Sequence, residues 1–252
     1  MAIVAKTVAG IVLMDSKKKV TISWSGGKDS AFALYKVLQA REFEVVSLHT
    51  VINEETKRVG MHGVRETLIE RQAEALGLPL QKLYLEGSED HDAYTRLMSD
   101  FYTQCIREHI HAVVFGDIFL EDLKIFREQL LKSSGLQGIF PLWKQDTRQL
   151  ITDFIHADFK TLICAANAKY FSAAQMGKTI DDAFVRQLPE EVDPCGENGE
   201  FHTFVYQGPI FKTPASYVAG EVVKKTYTYH KADASGAPVK IETTFLFQDL
   251  LP

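Results

Sequence analysis

Val20-Thr21-Ile22-Ser23-Trp24 alternates apolar and polar residues as a half-buried strand does, and just after it Ala31, Phe32, Leu34, Tyr35, Val37 and Leu38 recur at helical spacing. Ser25-Gly26-Gly27-Lys28-Asp29-Ser30, where the period changes, is therefore a strand-to-helix turn. The alternation continues. Residues 43–52 are rich in β-formers and predict a second strand, followed by a polar loop over 53–60. From Val64 through Leu68, Ile69, Ala73 and Leu76 the spacing is helical and stops at Gly77, with Pro79 behind it. Further on the pattern predicts a strand over 80–86, a long amphipathic helix over 90–109 and a short buried strand over 112–115 that ends at Gly116-Asp117. Helices over 121–132 and 146–156, strands at 139–140 and 161–165, and a helix near 180–188 complete the series.

Repeated strand-helix units of this length predict an α/β fold, a doubly wound and mostly parallel sheet. Ligands of such sheets lie outside the carboxyl ends of the strands, where the glycine turn, Asp117 and the Met61-His62-Gly63 loop can meet. After Pro189 the pattern changes. An acidic, turn-rich stretch over 193–200 leads into strand-like runs at 201–206, 218–229 and 241–247, with 234–238 as a hairpin connection. The expected division is a nucleotide-binding domain over 1–188 and a smaller β-rich, substrate-side appendage over 189–252. An edge strand in that appendage is a candidate surface for a homodimer.

Composition narrows the partners. The net charge of -5 argues against a nucleic acid, since the basic clusters, Lys17-Lys18-Lys19 and Lys224-Lys225, flank predicted strands and read as solvated ends. Cys105, Cys164 and Cys195 have no disulfide or metal spacing, which points to a reducing, cytoplasmic compartment. Residues 1–14 are apolar but interrupted by Lys6 and too short to span a bilayer, so neither a membrane segment nor a signal peptide is expected.

The glycine turn has the chemistry of a phosphate cradle. Gly26 and Gly27 can take φ > 0 and let the backbone approach an anion, while the first N–H groups of the helix point outward. Lys28 adds a positive charge, Ser25 and Ser30 supply hydroxyls, and Asp29 suits the helix dipole and can help hold magnesium. Asp117, just past a buried strand, is a second magnesium candidate or a cap for the next helix. His49 and His62 are candidates for lining an adenine or phosphate pocket. The Walker spacing is absent.

The order Ser-Gly-Gly-Lys-Asp-Ser resembles the loop of the N-type ATP pyrophosphatases, which implies an adenine nucleotide alpha hydrolase-like fold and cleavage between the α- and β-phosphates. With the stretch from Arg58 to Arg65, Gly116-Asp117-Ile118, Pro141-Leu142-Trp143 and the stretch from Pro194 to Phe204, residues 20–211 resemble the diphthine-ammonia ligase family. Its members adenylate a carboxylate and amidate it. The resemblance implies ATP and Mg2+, a carboxylate substrate and ammonia, and adds Met61, His62 and Gly116 to the nucleotide site. In the late motif, Asn198 and His202 depart from the eukaryotic and archaeal pattern and resemble a bacterial branch. An ammonia-using ligase must gather ammonium and strip its proton, work that Glu197 and Glu200 can do while His202 or Thr203 orients the acyl group. A plain acidic turn is the other reading of that stretch. A glutaminase module is not visible, so ammonia would arrive free or from another protein. The competing classes are a tRNA-thiolating or lysidine-type enzyme, a non-catalytic ATP sensor, and an ATP pyrophosphatase acting on a small metabolite, for example in cobalamin salvage.

Overall fold

The computed structural model describes residues 17–87, 91–232 and 238–252, and in it the strands divide between two sheets. The first is built from β1 (Lys18–Ser23), β2 (Phe43–Asn53), β3 (Arg58–Val59), β4 (Leu80–Leu85), β5 (Ile110–Val114) and β6 (Gln137–Ile139), interleaved with α1 (Lys28–Ala40), α2 (Glu66–Leu76), α3 (His91–Arg107), α4 (Glu121–Ser134) and α5 (Thr147–His156). Its parallel strands run β4-β2-β1-β5-β6, and β3 adds antiparallel to the end of β2. The mostly parallel α/β fold expected from the alternation is present. Helices cover both faces. Phe101, Tyr102 and Leu131 of α3 and α4 pack on one side, and Phe32, Leu68, Ile69 and Phe154 of α1, α2 and α5 on the other.

β1 lies at the centre and is buried on both faces, so its alternating sequence does not mark a half-buried strand. Thr21, fully buried, is accommodated because its hydroxyl donates to the Ser47 carbonyl at 3.2 Å and accepts from Ser47 Oγ at 3.0 Å. α2 does end at Gly77, in the left-handed region at φ 70°, its N–H returning to Ala73 and Glu74 carbonyls.

The second sheet, in order β8-β7-β10-β9, joins β7 (Lys160–Asn167), β8 (Phe201–Gln207), β9 (Val218–Ala232) and β10 (Pro238–Leu251), all neighbours antiparallel. This corrects one expectation. The strand over 161–165 does not extend the parallel sheet but pairs antiparallel with β8 and β10. Leu162-Ile163-Cys164-Ala165-Ala166 is wholly buried, and an apolar run of that kind suits the middle of either sheet. The helix near 180–188 contracts to α6 (Asp182–Arg186), capped by Asp181, whose carboxylate accepts from the Phe184 N–H at 2.8 Å. The hairpin connection at 234–238 lies outside the described residues except for Pro238, which opens β10, and residues 1–14 also lie outside them.

An aromatic cluster ties the two sheets together. Phe154 of α5 stacks on Phe159, which precedes β7, at 4.6 Å, and Phe32 of α1 meets them edge-on at 5.7 and 6.0 Å. Each such buried ring contributes about 1.5–3 kcal/mol. Among the described residues, no helix is long and apolar enough to cross a membrane.

The chain leaves β1 for β2 on one side and places β5 on the other side of β1, so the switch point lies between β1 and β5. At its carboxyl edge stand the glycine turn and Gly116-Asp117.

Candidate active site

The glycine turn is completed by the second sheet. Gly26 has φ 81°, and a Cβ on it would lie 2.6 Å from Ile69 Cδ1 and 2.7 Å from Gln72 Oε1. Gly27 differs from the expectation: it is extended at φ -92°, and it is space that demands glycine there, since a Cβ would come within 2.7 Å of His62 Cε1. As N-cap, Gly27 offers no side chain. Instead the Lys28 N–H donates to Thr203 Oγ1 on β8 at 2.9 Å. Ser30 Oγ donates to the Gly27 carbonyl at 3.0 Å and lies 3.3 Å from Ser25 Oγ.

Gln72, which the sequence reading passed over, holds the turn from beneath. It is fully buried in α2, accepts from Trp24 Nε1 at 2.9 Å, and donates through Nε2 to the carbonyls of Gly26 at 2.9 Å and Val205 at 2.6 Å. The Val205 N–H in turn donates to the Gly26 carbonyl at 2.9 Å. A glutamine on the apolar stripe of Leu68, Ile69, Ala73 and Leu76 was the available signal, because a polar side chain at a core position needs buried partners.

Lys28 and Asp29 form a bidentate pair, with Nζ 2.7 and 2.8 Å from the two carboxylate oxygens. Burial alone would lower the Lys28 ammonium, but Asp29, with Cys195 and Glu197 behind it, holds its pKa above the ordinary lysine value. Gly116 brings the end of β5 against the first turn of α1, where a Cβ would sit 2.7 Å from the Asp29 carbonyl carbon. Asp117 does not cap α4, whose N-cap is Leu120. It faces Arg127 of α4, with Nε 2.8 Å from Oδ2 though poorly aligned for a hydrogen bond, and Nη2 donating to Oδ1 at 3.2 Å. Burial raises the Asp117 carboxyl above its usual range against the pull of Arg127.

The acidic loop over 193–200 separates the two glutamates that the sequence reading grouped together. Glu200 is buried and taken up by the loop itself, accepting from the N–H groups of Asp193 and Asn198 at 2.9 Å each and from Asn198 Nδ2 at 3.1 Å. Glu197 faces the cleft and accepts from the Ile118 N–H at 3.0 Å. Burial first, then the charge of Asp29, pushes the Glu197 carboxyl up to about 7, against the Ile118 N–H and Lys28. The loop hangs on Asp193, which accepts from the N–H groups of Cys195 at 2.9 Å and Glu197 at 3.2 Å and from Thr147 Oγ1 at 2.7 Å.

His62 Nδ1 lies 3.1 Å from the Thr203 carbonyl, and its ring is 4.7 Å from that of His202. Burial lowers both imidazoles. His49 is 1% exposed and pushed down to about 3, by burial and then by the charge of Arg127. His49 Nδ1 lies 3.2 Å from the Thr21 hydroxyl. His49 Nε2 is buried without a hydrogen-bond partner among the described residues.

These groups surround a cleft of about 760 Å³, large enough for a nucleotide. Ser25, Lys28, Asp29, Ser30, Met61, His62, Gly116, Asp117, Glu197, His202 and Thr203 all line it. Gly26 and Gly27 shape the turn from behind, and Glu200 stays inside its loop. His49 lies apart from the cleft, in an adjoining cavity of about 420 Å³.

A glycine turn at the switch point of a parallel sheet, closed by a carboxylate-bearing loop, defines a phosphate-handling α/β protein. The chain belongs to the diphthamide synthase family: the model of the diphthamide synthase N-terminal domain matches residues 18–138, and that of the C-terminal domain residues 146–231. A diphthine–ammonia ligase of Homo sapiens is 27% identical over 237 residues, 85% of this chain and 86% of its own. One of Danio rerio is 27% identical over 236 residues, 85% of this chain and 90% of its own. Among solved structures, a U34-tRNA thiolase of Methanococcus maripaludis shares 16% identity over 58% of this chain and 60% of its own at TM-score 0.36, too loose a likeness to argue from.

Proposed function

We propose that this chain is an ATP-dependent ligase that adenylates a substrate carboxylate, releases pyrophosphate, and amidates the acyl group with ammonia. The observation that carries the reading is Glu197: a carboxylate titrating near neutrality stands in the same cleft as the phosphate turn. Membership in the family and relatives named diphthine–ammonia ligase support it.

In the first step a carboxylate oxygen bonds to the α-phosphorus while the bond to the β-phosphate oxygen breaks, and pyrophosphate leaves with the electron pair. Lys28 and the hydroxyls of Ser25 and Ser30 neutralise the growing charge, each such contact being worth about 3 kcal/mol. The side cavity, lined in part by His49, takes adenine. In the second step the nitrogen of ammonia attacks the acyl carbon and AMP departs, with Glu197 accepting the proton and His202 orienting the acyl group. Among the described residues, no set of three metal-binding side chains converges. Asp29 and Asp117, both lining the cleft, would hold magnesium together with phosphate oxygens, and the ion would supply charge neutralisation on the leaving group.

The proposal extends to a cytoplasmic enzyme fed by free ammonia, forming a homodimer, without a membrane or nucleic-acid partner. The deciding experiment incubates the protein with ATP, magnesium, ammonium and a panel of carboxylates. AMP and pyrophosphate are the expected products; ADP and phosphate would refute the reading.

A further inference from the structure

The cleft and the side cavity adjoin and share part of their walls. Ser23, Ser25, Met61, His62 and Arg127 line both. Arg127 is the guanidinium of this set, and burial holds the His62 imidazole below its ordinary value. Lys28 lines the cleft but not the side cavity.

We propose that Arg127 is a catalytic residue whose guanidinium contacts the α-phosphate, the phosphorus attacked during adenylation. The inference rests on the proposed function. A nucleotide whose terminal phosphates occupy the glycine turn and whose base fills the side cavity must place its α-phosphate beside the wall the two share, since that phosphate lies between sugar and pyrophosphate. The cation already standing there is Arg127. It is held in place on two sides: the guanidinium carbon is 4.5 Å from the centre of the Phe115 ring, and Asp117 occupies the Nε and Nη2 edge. That grip turns the remaining edge, at Nη1, away from Asp117. A planar fork fixed in this way offers donors to non-bridging phosphate oxygens with no reorganisation when charge builds on them. Arg127 also depresses the protonation of His49, so its field already reaches the side cavity.

The division of labour between Lys28 and Arg127 makes the proposal testable by binding alone. Calorimetric titration of the full chain with AMP, inorganic pyrophosphate and ATP, each with magnesium, is compared across wild type, Arg127→Met, Arg127→Lys and Lys28→Met. Arg127→Met should weaken AMP and ATP binding by roughly ten- to a hundredfold, the range for a charge-assisted hydrogen bond, and leave pyrophosphate binding unchanged. Lys28→Met should do the reverse, weakening pyrophosphate and sparing AMP. Arg127→Lys should recover part of the AMP affinity. Because Arg127→Met strips Asp117 of its cation, the same comparison is made in an Asp117→Asn background, where the loss of AMP affinity should persist. AMP binding equal to wild type in Arg127→Met, or AMP and pyrophosphate weakened alike, would overturn the role of Arg127 while leaving the proposed function standing. A wild-type chain that binds pyrophosphate but neither AMP nor ATP would overturn both.

Discussion

The backbone N–H of Lys28 is capped by the hydroxyl of Thr203 at 2.9 Å, across a separation of 175 residues. The helix that follows the phosphate turn therefore starts from a cap provided by the other sheet. Removing a capping hydroxyl costs about 1 kcal/mol. Thr203→Val should lower the melting temperature modestly and slow pyrophosphate release by a larger factor, whereas Thr203→Ser should restore both. Thermal melts alongside a pyrophosphate assay separate the two effects.

Gln72→Leu removes the partner of Trp24 Nε1 and of the Val205 carbonyl while keeping the side chain nearly the same size. Leaving buried polar groups unpaired costs about 1–3 kcal/mol each. The variant should unfold at clearly lower denaturant concentration, with weakened pyrophosphate binding. A midpoint within error of wild type would remove Gln72 from the support of the turn.

For Glu197, the pH dependence has a definite sign. Its folded pKa of about 7 lies above the ordinary glutamate value of 4.5, so folding favours the protonated form. The associated stability is fully present below 4.5 and is lost as pH rises toward 7. Glu197→Gln, which cannot ionise, should gain stability relative to wild type at pH 8 and lose that advantage near pH 4.5. In catalysis the sign is opposite, because the base must be ionised: amidation should rise with pH through about 7 in wild type and fall away in the variant while AMP formation persists.

Glu200 should behave differently, since its carboxylate accepts three N–H donors inside its own loop. Glu200→Ala should open the loop over 193–200 to proteolysis and lower adenylation and amidation together. A selective loss of amidation with the loop still protected would instead return Glu200 to the chemistry.

The parallel sheet and the glycine turn were legible in the sequence because local spacing encodes them: β1 and α1 follow one another, and the change of period locates the turn. What escaped the reading depends on partners distant in the chain. Nothing near residue 161 tells which sheet that strand joins, because its apolar run suits both. Glu197 and Glu200 look equivalent along a flexible loop, and only the folded loop shows one turned inward and the other outward. Arg127 sits on a helix with abundant charged neighbours, and its value comes from Asp117 and Phe115 at the end of a neighbouring strand.

The bonds from Thr203 and Val205 to the turn carry a consequence for engineering this fold. A chimera joined between α5 and β7, intended to import a relative's acyl preference, would also replace the groups that hold the Lys28 amide and the Gly26 carbonyl. On the proposed function, recognition of the acceptor and grip on the nucleotide are therefore not separable cassettes, and exchanging one half of the chain should retune both.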